Sequence, residues 1–489
     1  MASEKLKILY ICSEAAPFVK TGGLADVSNA LPRALRAMGH DVRIALPCYG
    51  TIPENLKGKQ VATCRARLGS DTVFGALRET VLPESDVPVY LVEHDIYFWR
   101  DHPYGRGNSE YTDNLERFCF FSLATLDGVP QTGWTPDLVH CHDWHTAAIP
   151  AYIKTHYMDH PAWQNKASVF TIHNMAYQGR YPSSLMPKTG LGWELFSPRY
   201  LEFYGDLNLM KSGIMFASKI NTVSPTYAKE IQTPIAGCGL EGVLRARTKD
   251  LSGISNGVDH GVWNPATDPL IDANYTLENM AGKKKCKRAL QKRLGLPESD
   301  APLFGMVSRL VRDKGIGLLL EVLDTLLETN IQVVIQGAGD LELQSALEEH
   351  AAQSPEKFSV NFVYDEKLAH QIYAGSDFYL MPSRTEPCGL SQLYSMAYGS
   401  IPIVHKTGGL ADSVADASPA NLAAGKATGF AFSDFTEKML VATIKKSILA
   451  YGDPELMLAL RKAGMSTDWS WGSSAKAYED LFRRAIAAP

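Results

Sequence analysis

No apolar run in this 489-residue chain is long enough to cross a membrane as a helix, which takes roughly 20 residues. A strong excess of charge of one sign is also absent, because the formal net charge is only −5. This balance gives no reason to expect nucleic acid or an acidic membrane as a partner. The first residues, 1–7, are polar and resemble neither a signal peptide nor a transit peptide. We therefore expect a soluble, cytoplasmic protein.

Closely spaced cysteine pairs are missing as well. The eight cysteines are scattered, and the sequence has no Cys-x-x-Cys motif. Several of them, such as Cys12 and Cys141, lie inside apolar runs, where a thiol behaves as a small hydrophobic side chain. This usage is typical of a reducing compartment.

Basic residues are dense only once, over 283–288, which reads Lys-Lys-Lys-Cys-Lys-Arg. Acidic residues surround this run. We therefore interpret it as the solvated face of a helix.

Short β-rich runs alternate with helical patterns along nearly the whole chain. Two series of runs are expected to be buried strands, at 7–12, 42–46, 88–92, 137–141, 168–172 and 219–223, and at 303–307, 331–335, 360–364, 377–381, 401–404 and 429–432. Strand–helix–strand alternation predicts parallel sheets with helices on both faces. Two series predict an α/β protein with two Rossmann-like domains, 1–252 and 253–489. The pattern leaves open whether the last helix, about 473–487, packs back on the first domain.

One heptapeptide occurs twice. Lys20–Asp26 reads Lys-Thr-Gly-Gly-Leu-Ala-Asp, and Lys406–Asp412 repeats it residue for residue. Each copy follows a predicted strand and precedes helical sequence. Ligands of open α/β sheets bind beyond the carboxyl ends of the strands, so we expect both copies to serve one ligand held by the two domains.

The first copy is a candidate phosphate cradle. Gly22 and Gly23 at a strand-to-helix turn let the backbone approach an anion, and Lys20 adds a positive charge. The motif is not a Walker A loop. A tight glycine turn without any ligand is the alternative interpretation.

Three histidines and an aspartate end the strand predicted at 137–141. Strand alternation places His140 and His142 on one face, next to Asp143 and His145. A metal-dependent hydrolase using His140, His142 and His145 is an alternative function. The order does not match the His-x-His-x-Asp-His run of metallo-β-lactamase-type hydrolases, and a one-residue shift reverses side-chain direction. Sugar binding or structural hydrogen bonding is therefore favoured.

Charged residues also follow the strands of the second series. Arg309 and Lys314 flank one strand-to-helix turn, where two cations suit a diphosphate leaving group without a metal. Glu386 lies in a turn before a helix, where it could accept hydrogen bonds from sugar hydroxyls or cap the helix.

The order of these motifs resembles that of bacterial glycogen synthases and plant starch synthases. The motifs are Lys-Thr-Gly-Gly-Leu-Ala-Asp, His-Asp-Trp-His, Ser-Pro-Thr-Tyr-Ala, Asn-Gly-Val-Asp, Ser-Arg-Leu and Glu-Pro-Cys-Gly-Leu. The resemblance spans about residues 7–485. It implies the two-Rossmann-domain architecture called GT-B. It also implies transfer of glucose from ADP-glucose to the 4-hydroxyl at the non-reducing end of an α-1,4-glucan, with retention and without a metal or other cofactor.

The resemblance also implies roles for five catalytic residues. Arg309 and Lys314 would stabilise the departing diphosphate, and Glu386 would contact hydroxyls of the donor glucose. His173 would lie beside the glucose 6-hydroxyl, and Asp143 would bind sugar hydroxyls nearby.

Further positions would bind the substrates. Tyr364 would stack on adenine, and Tyr104 would lie in the acceptor groove. The substrate-binding residues implied by the resemblance are Lys20, Gly22, Gly23, Asn256, Tyr364, Cys388, Gly389, Leu390, Thr407, Gly408 and Tyr104.

One position departs from related retaining transferases, which carry Glu-x7-Glu. Here the eighth residue after Glu386 is Tyr394. The sequence also shows no convincing carboxylate nucleophile, so a front-face mechanism is our hypothesis. Another GT-B transferase with a different donor or acceptor, and a non-catalytic glucan-binding protein, remain alternatives.

Overall fold

The computed structural model describes residues 4–106 and 109–488. The chain forms two compact units. The first comprises Met1–Val223, Ala228–Ser255 and Trp471–Pro489, and the second comprises Ser224–Tyr227 and Asn256–Ser470. Each unit is built around a sheet with helices, as the alternating pattern predicts.

Among its described residues, the first unit contains fourteen strands, seven complete α-helices and the last residues of another. The strands are β1 (Lys7–Ile11), β2 (Asp41–Pro47), β3 (Lys59–Leu68), β4 (Asp71–Val81), β5 (Pro88–Glu93), β6 (Gly105–Arg106), β7 (Ser109–Glu110), β8 (Leu138–His142), β9 (Ala167–Ile172), β10 (Arg180–Pro182), β11 (Glu202–Phe203), β12 (Asp206–Asn208), β13 (Lys219–Thr222) and β14 (Leu251–Gly253). The complete helices of this unit that precede Asn256 are α1 (Gly23–Ala37), α2 (Asp95–Phe98), α3 (Asn114–Gly128), α4 (Ile149–Lys154), α5 (Leu209–Phe216) and α7 (Glu241–Ala246). Helix α6 (Pro225–Glu230) begins in the Ser224–Tyr227 segment of the second unit and ends in the first unit.

Nine strands of the first unit form one sheet, in the order β14-β13-β9-β8-β1-β2-β5-β4-β3. The strands from β14 to β5 are parallel, and all six predicted runs of the first series fall on them. At the far edge this parallel sheet becomes mixed, because β4 pairs antiparallel with both β3 and β5. Strand β3 alternates buried and exposed residues, because only one face of this edge is covered. It therefore lacks the continuous apolar run by which buried parallel strands are recognised.

Besides the start of α6, the second unit contains six strands and nine complete α-helices. They are β15 (Leu303–Val307), β16 (Gln332–Gln336), β17 (Phe358–Asn361), β18 (Phe378–Met381), β19 (Ile401–His405) and β20 (Phe430–Phe432), with α8 (Ala281–Arg293), α9 (Ile316–Leu327), α10 (Leu341–Gln353), α11 (Glu366–Gly375), α12 (Ser391–Ala397), α13 (Gly408–Ser413), α14 (Pro419–Ala423), α15 (Glu437–Tyr451) and α16 (Pro454–Ser466).

The sheet of the second unit has the order β17-β16-β15-β18-β19-β20, and its strands are all parallel. Counted from its first strand, this is the order 3-2-1-4-5-6 of a Rossmann sheet. Neighbouring residues point to opposite faces, and both faces are buried: Phe304 joins one apolar cluster, and Leu303 joins the other. The predicted architecture is confirmed here, although β17 begins and ends earlier than the predicted run 360–364.

The last helix, α17 (Trp471–Ile486), belongs to the first unit. It packs against α1 and β9. The hydroxyl of Tyr478 accepts a hydrogen bond from Asn221 at 3.0 Å, and Arg483 donates to the carbonyl of Glu4 at 2.8 Å. The packing that the sequence pattern left open is thus on the first unit.

The basic run at the start of α8 is not uniformly solvated, and the expectation of a solvated face is wrong for two of its lysines. Lys283 and Lys287 are each 5% exposed. Lys287 pairs with Asp377 at 2.6 Å. Lys283 donates to the carbonyls of Ala374 and Tyr398 at 3.0 and 2.9 Å, and burial lowers its pKa to about 7. Residues four apart share a helix face, and this face packs on the unit.

Within the described ranges, no helix combines the length and the apolar character needed to span a membrane.

Candidate active site

The predicted site residues of the first unit lie where the strand order of its sheet reverses. Strands β1 and β8 are neighbours, and the chain continues from β1 to β2 on one side and from β8 to β9 on the other. The Lys20–Gly23 loop follows β1, and His140, His142 and Asp143 end β8. Such a reversal opens a crevice at the carboxyl ends of the strands, where ligands of α/β sheets bind.

The carboxylate of Glu14 accepts hydrogen bonds from backbone amides of the Lys20–Gly23 loop. Its carboxylate accepts hydrogen bonds from the backbone N–H of Thr21 at 2.5 Å, the hydroxyl of Thr21 at 2.6 Å and the backbone N–H of Gly22 at 3.2 Å. Lys20 is half-exposed, and its Nζ lies 2.7 Å from Oδ1 of Asp26. The Gly22 amide, expected to face a phosphate, therefore points to an internal carboxylate.

The glycines of the two heptapeptide copies have different surroundings. A Cβ on Gly22 would meet no protein atom within 4 Å, and its φ of −156° suits any residue. Gly408 has a φ of +44°, and its Cβ would lie 2.0 Å from the carbonyl oxygen of Glu386. A Cβ on Gly409 would likewise lie 2.0 Å from the carbonyl oxygen of Cys388. Packing thus requires glycine in the second copy, whereas in the first copy glycine leaves open space beside the loop.

The aspartates of the two copies also differ. Asp412 accepts hydrogen bonds from the hydroxyl of Ser224 and from the backbone N–H and hydroxyl of Thr226, the last at 2.6 Å. This contact explains part of the Ser-Pro-Thr-Tyr-Ala motif, whose first four residues belong to the second unit.

His140 and His142 point to the same face of β8, as strand alternation predicts. Their ring centroids are 4.0 Å apart. Nε2 of His140 lies 2.7 Å from the hydroxyl oxygen of Thr171, and Nδ1 of His142 lies 3.0 Å from Nε2 of His173. Burial holds the pKa values of His140 and His142 well below the usual range and lowers the pKa of His173 to about 3. These imidazoles are therefore neutral at pH 7.

His145 does not join this histidine cluster. Its ring stacks on that of Trp144, with the centroids 4.0 Å apart, and its centroid lies 4.7 Å from that of the Tyr104 ring. Across residues 4–106 and 109–488, no group of three or more histidine, cysteine or acidic side chains is arranged to hold a metal ion.

Asp143 combines two features that are common at functional sites. Its φ of +53° is in the left-handed region, which is costly for a non-glycine residue. Its Oδ1 accepts a hydrogen bond from the backbone N–H of His173 at 2.7 Å. Burial raises the pKa of Asp143 to about 7, against the lowering effect of the backbone N–H groups of His173 and Asn174. A strained backbone and a perturbed carboxyl at a strand end make Asp143 a strong site candidate.

Tyr104 contacts the same carboxylate as the glycine loop. Its hydroxyl donates to Oε1 of Glu14 at 2.7 Å and lies 2.8 Å from the hydroxyl oxygen of Ser13. The side chain of Asn114 donates to the Tyr104 carbonyl at 2.9 Å. Tyr104 is thereby placed beside the loop that begins at Lys20.

In the second unit, the strand order reverses between β15 and β18, and the predicted catalytic residues follow these two strands. Nζ of Lys314 lies 2.6 Å from Oε2 of Glu386, which also accepts a hydrogen bond from the Ser383 hydroxyl at 3.0 Å. Gly315 has a φ of +74°, and a Cβ there would lie 1.9 Å from the carbonyl oxygen of Pro382. This close approach brings the Lys314 turn against the turn that carries Glu386.

Glu386 is 5% exposed and does not cap the following helix. The N-cap of α12 is Leu390, which has no side-chain cap. Gln392 instead fixes the preceding turn by donating to the carbonyls of Cys388 and Gly389, both at 3.1 Å. The helix-cap interpretation of Glu386 is therefore wrong.

The remaining predicted residues of the second unit have varied surroundings. Arg309 is exposed, and its guanidinium has no partner among the described residues. Asn256 is buried, with its Oδ1 unpaired within the same residues. Thr407 is the buried N-cap residue of α13. Tyr364 lies three residues beyond the end of β17, not at a strand end as predicted, and is 62% exposed.

Sequence reasoning missed Glu14, His142 as the partner of His173, and Ser383. Glu14 had a recognisable signal. It is the one charged residue in the mostly apolar segment 12–19 between β1 and the glycine loop, where a buried carboxylate needs donors.

Comparison with known proteins decides the family. Residues 7–246 match the family model described as starch synthase catalytic domain, and residues 287–465 match glycosyl transferases group 1. The chain is 45% identical over 483 residues to glycogen synthase 2 of Geobacter sulfurreducens, covering 98% of this chain and 99% of the relative. It is also 45% identical over 490 residues to glycogen synthase 1 of Methylococcus capsulatus, covering 99% and 97%.

The chain belongs to the glycogen and starch synthase family. The resemblance drawn from the motifs is confirmed, and the protein is a glycosyltransferase of this family. Among solved structures, it is similar to the catalytic domain of starch synthase IV from Arabidopsis thaliana bound to ADP and acarbose. That match has a TM-score of 0.91 and 35% identity and covers 99% of this chain and 100% of the other. The GT-B fold is therefore confirmed.

A sucrose-phosphate synthase from Thermosynechococcus elongatus, with a TM-score of 0.60 and 17% identity, shares the fold alone.

Proposed function

We propose that this glycogen and starch synthase family member transfers glucose from ADP-glucose to the 4-hydroxyl at the non-reducing end of an α-1,4-glucan, with retention of configuration. The observation that carries the donor assignment is the likeness, over 99% of the chain, to a starch synthase catalytic domain bound to ADP and acarbose. The Rossmann strand order of the second unit supports a nucleotide-sugar site there. We assign the glucan acceptor to the first unit.

Arg309 and Lys314 supply the positive charge for the leaving group in this proposal. As the bond between glucose C1 and the diphosphate oxygen breaks, its electron pair leaves with ADP, and negative charge grows on the phosphate. Cations at that position stabilise the transition state more than the ground state. The ion pair with Glu386 holds Lys314 Nζ in place, and Tyr364 stacks on the adenine.

Glu386 orients the donor glucose through its hydroxyls, because its carboxylate is buried and fixed by Lys314 and Ser383. The backbone of Cys388, Gly389 and Leu390 holds the same sugar.

The remaining substrate contacts are divided between the two heptapeptide copies and Asn256. Lys20 contacts the phosphates and the glucose together with Gly22, which borders open space, and Gly23. Asn256, Thr407 and Gly408 complete the donor site. Tyr104 contacts the glucan.

Asp143 and His173 act at the sugar in the first unit. A neutral His173 can donate one hydrogen bond to a sugar hydroxyl, and Asp143 can accept another. The attacking 4-hydroxyl approaches C1 on the face from which the diphosphate leaves. Its proton passes to the departing phosphate oxygen on that face, so configuration is retained without a covalent glucosyl-enzyme. Trapping such an intermediate with unmodified protein would contradict this front-face hypothesis.

Incorporation of labelled glucose into glycogen tests the proposal, comparing ADP-glucose with UDP-glucose in the presence and absence of EDTA. We expect strong transfer from ADP-glucose that survives chelation. Preference for UDP-glucose would overturn the donor assignment. Loss of transfer with EDTA would show that the two cations do not suffice for the leaving group.

A further inference from the structure

The carboxylate of Glu14 is buried, and its hydrogen-bond donors are all neutral. Its side chain is 4% exposed. Oε2 accepts from the backbone N–H groups of Thr21 and Gly22, and Oε1 accepts from the hydroxyls of Thr21 and Tyr104. A buried carboxylate is stable only with such a full set of donors, so the position of Glu14 and the positions of its donors depend on each other.

The donors come from two segments that are distant in the sequence. Thr21 and Gly22 belong to the glycine loop, whereas Tyr104 lies 90 residues from Glu14 along the chain. Because both the N–H and the hydroxyl of Thr21 contact one carboxylate, little rotation remains between Lys20 and Gly22. The Tyr104 side chain is held at its hydroxyl by Glu14 and Ser13, and its carbonyl is held by Asn114.

We propose that Glu14 is a positioning residue that fixes the Lys20–Gly23 loop and Tyr104 relative to each other. One carboxylate then positions both a contact to the sugar donor, ADP-glucose, and a contact to the glucan acceptor. This inference rests on the proposed function, in which the loop contacts ADP-glucose and Tyr104 contacts the glucan. It gives a reason for an acidic group beside a loop that is expected to approach a diphosphate. The charge is directed into the amides and hydroxyls, and the space beside Gly22 stays open.

Two substitutions separate the charge of Glu14 from its shape. Glu14→Gln keeps one carbonyl oxygen that can accept from Thr21 and Gly22, but hydrogen bonds between neutral groups are roughly half as strong as charge-assisted ones. Glu14→Ala removes all four interactions. Glu93→Gln is a matched control in the same unit, since Glu93 is a half-buried carboxylate that pairs with Arg78 at 2.9 Å on the sheet.

Steady-state kinetics with ADP-glucose and maltohexaose, together with urea unfolding, test the inference. We expect Glu14→Ala to raise the KM for both substrates, each by about tenfold or more. Glu14→Gln should fall between Glu14→Ala and the unmodified protein, and Glu93→Gln should leave both KM values within about twofold.

Two results would overturn the inference. One is a change in the KM of a single substrate. The other is a lower urea midpoint with both KM values unchanged, because Glu14 would then support only the fold.

If the unmodified protein transfers glucose from neither ADP-glucose nor UDP-glucose, the proposed function fails, and calorimetry then decides the inference separately. Binding of ADP and of maltohexaose that weakens together in Glu14→Ala supports the positioning role. Affinities that do not change, or that change for one ligand alone, refute it.

Discussion

Replacing Lys314 or Arg309 by alanine should lower turnover to a similar extent but affect stability differently. Lys314 lies 2.6 Å from Glu386, whose side chain is 7% exposed. Lys314→Ala therefore leaves a buried carboxylate without its cation, with the Ser383 hydroxyl as the remaining side-chain donor. Arg309 is exposed and has no partner among the described residues, so Arg309→Ala removes no side-chain hydrogen bond or ion pair from the fold.

The magnitudes follow from these surroundings. Leaving a buried polar or charged group unpaired costs about 1–3 kcal/mol of unfolding free energy or more, whereas an exposed substitution stays within about 0.5 kcal/mol. Each variant also loses a positive charge where we propose that the diphosphate departs. Removing one such stabilising group lowers turnover by ~100-fold or more, which is about 2.7 kcal/mol of activation free energy.

Urea midpoints and kcat, measured on the same preparations, check both expectations. The double variant Lys314→Ala with Glu386→Ala should regain part of the lost stability, because no buried carboxylate remains, but it should regain no turnover. Unchanged turnover in both single variants would refute the assignment of the two cations. Equal urea midpoints for Lys314→Ala and Arg309→Ala would refute the reasoning about the ion pair.

Three further predictions concern single residues. Gly22→Ala should fold with an unchanged urea midpoint but raise the KM for ADP-glucose, because the added methyl group fills only open space. Gly408→Ala should lower the urea midpoint, because its Cβ would clash with the backbone. A lower midpoint for Gly22→Ala and an unchanged one for Gly408→Ala would contradict these different roles of glycine. Asp143 has a folded-state pKa of about 7, raised by burial, so its contribution to stability is present at low pH and is lost as pH rises towards 7. The urea midpoint of Asp143→Asn minus that of the unmodified protein should therefore increase between about pH 4 and 7 and stay level above pH 7. A difference that does not change with pH would exclude the raised pKa. Tyr364→Ala should raise the KM for ADP-glucose by about tenfold, since base stacking is worth about 1–3 kcal/mol, and Tyr364→Phe should not; equal effects of both substitutions would exclude stacking.

The strands buried on both faces could be predicted because a parallel sheet leaves a plain signal. Runs such as Leu303–Val307 are apolar throughout, since each residue meets one of two covered faces. The hairpin of β3 and β4 could not be found in this way, because its outer face is exposed. The burial of Lys283 and Lys287 could not be predicted either. Both donate to backbone carbonyls in the structure, and the sequence does not distinguish such a lysine from a solvated one.

The candidate site was predictable to the extent that it lies at strand ends. Asp143, Lys314 and Glu386 were identified because charged residues follow buried strands where α/β sheets bind ligands. Glu14 was missed, because what distinguishes it is a set of contacts that includes Tyr104, 90 residues away. The different reasons for glycine in the two identical heptapeptides also depend on packing, which the sequence alone does not contain.

The most direct test of the central claim is the product formed from ADP-glucose and maltohexaose. Mass spectrometry should show maltoheptaose and an equal amount of ADP, and the anomeric proton of the added glucose should show an α-1,4 linkage by NMR. Free glucose in place of maltoheptaose, a β linkage, or extension by UDP-glucose in preference to ADP-glucose would contradict the proposed reaction.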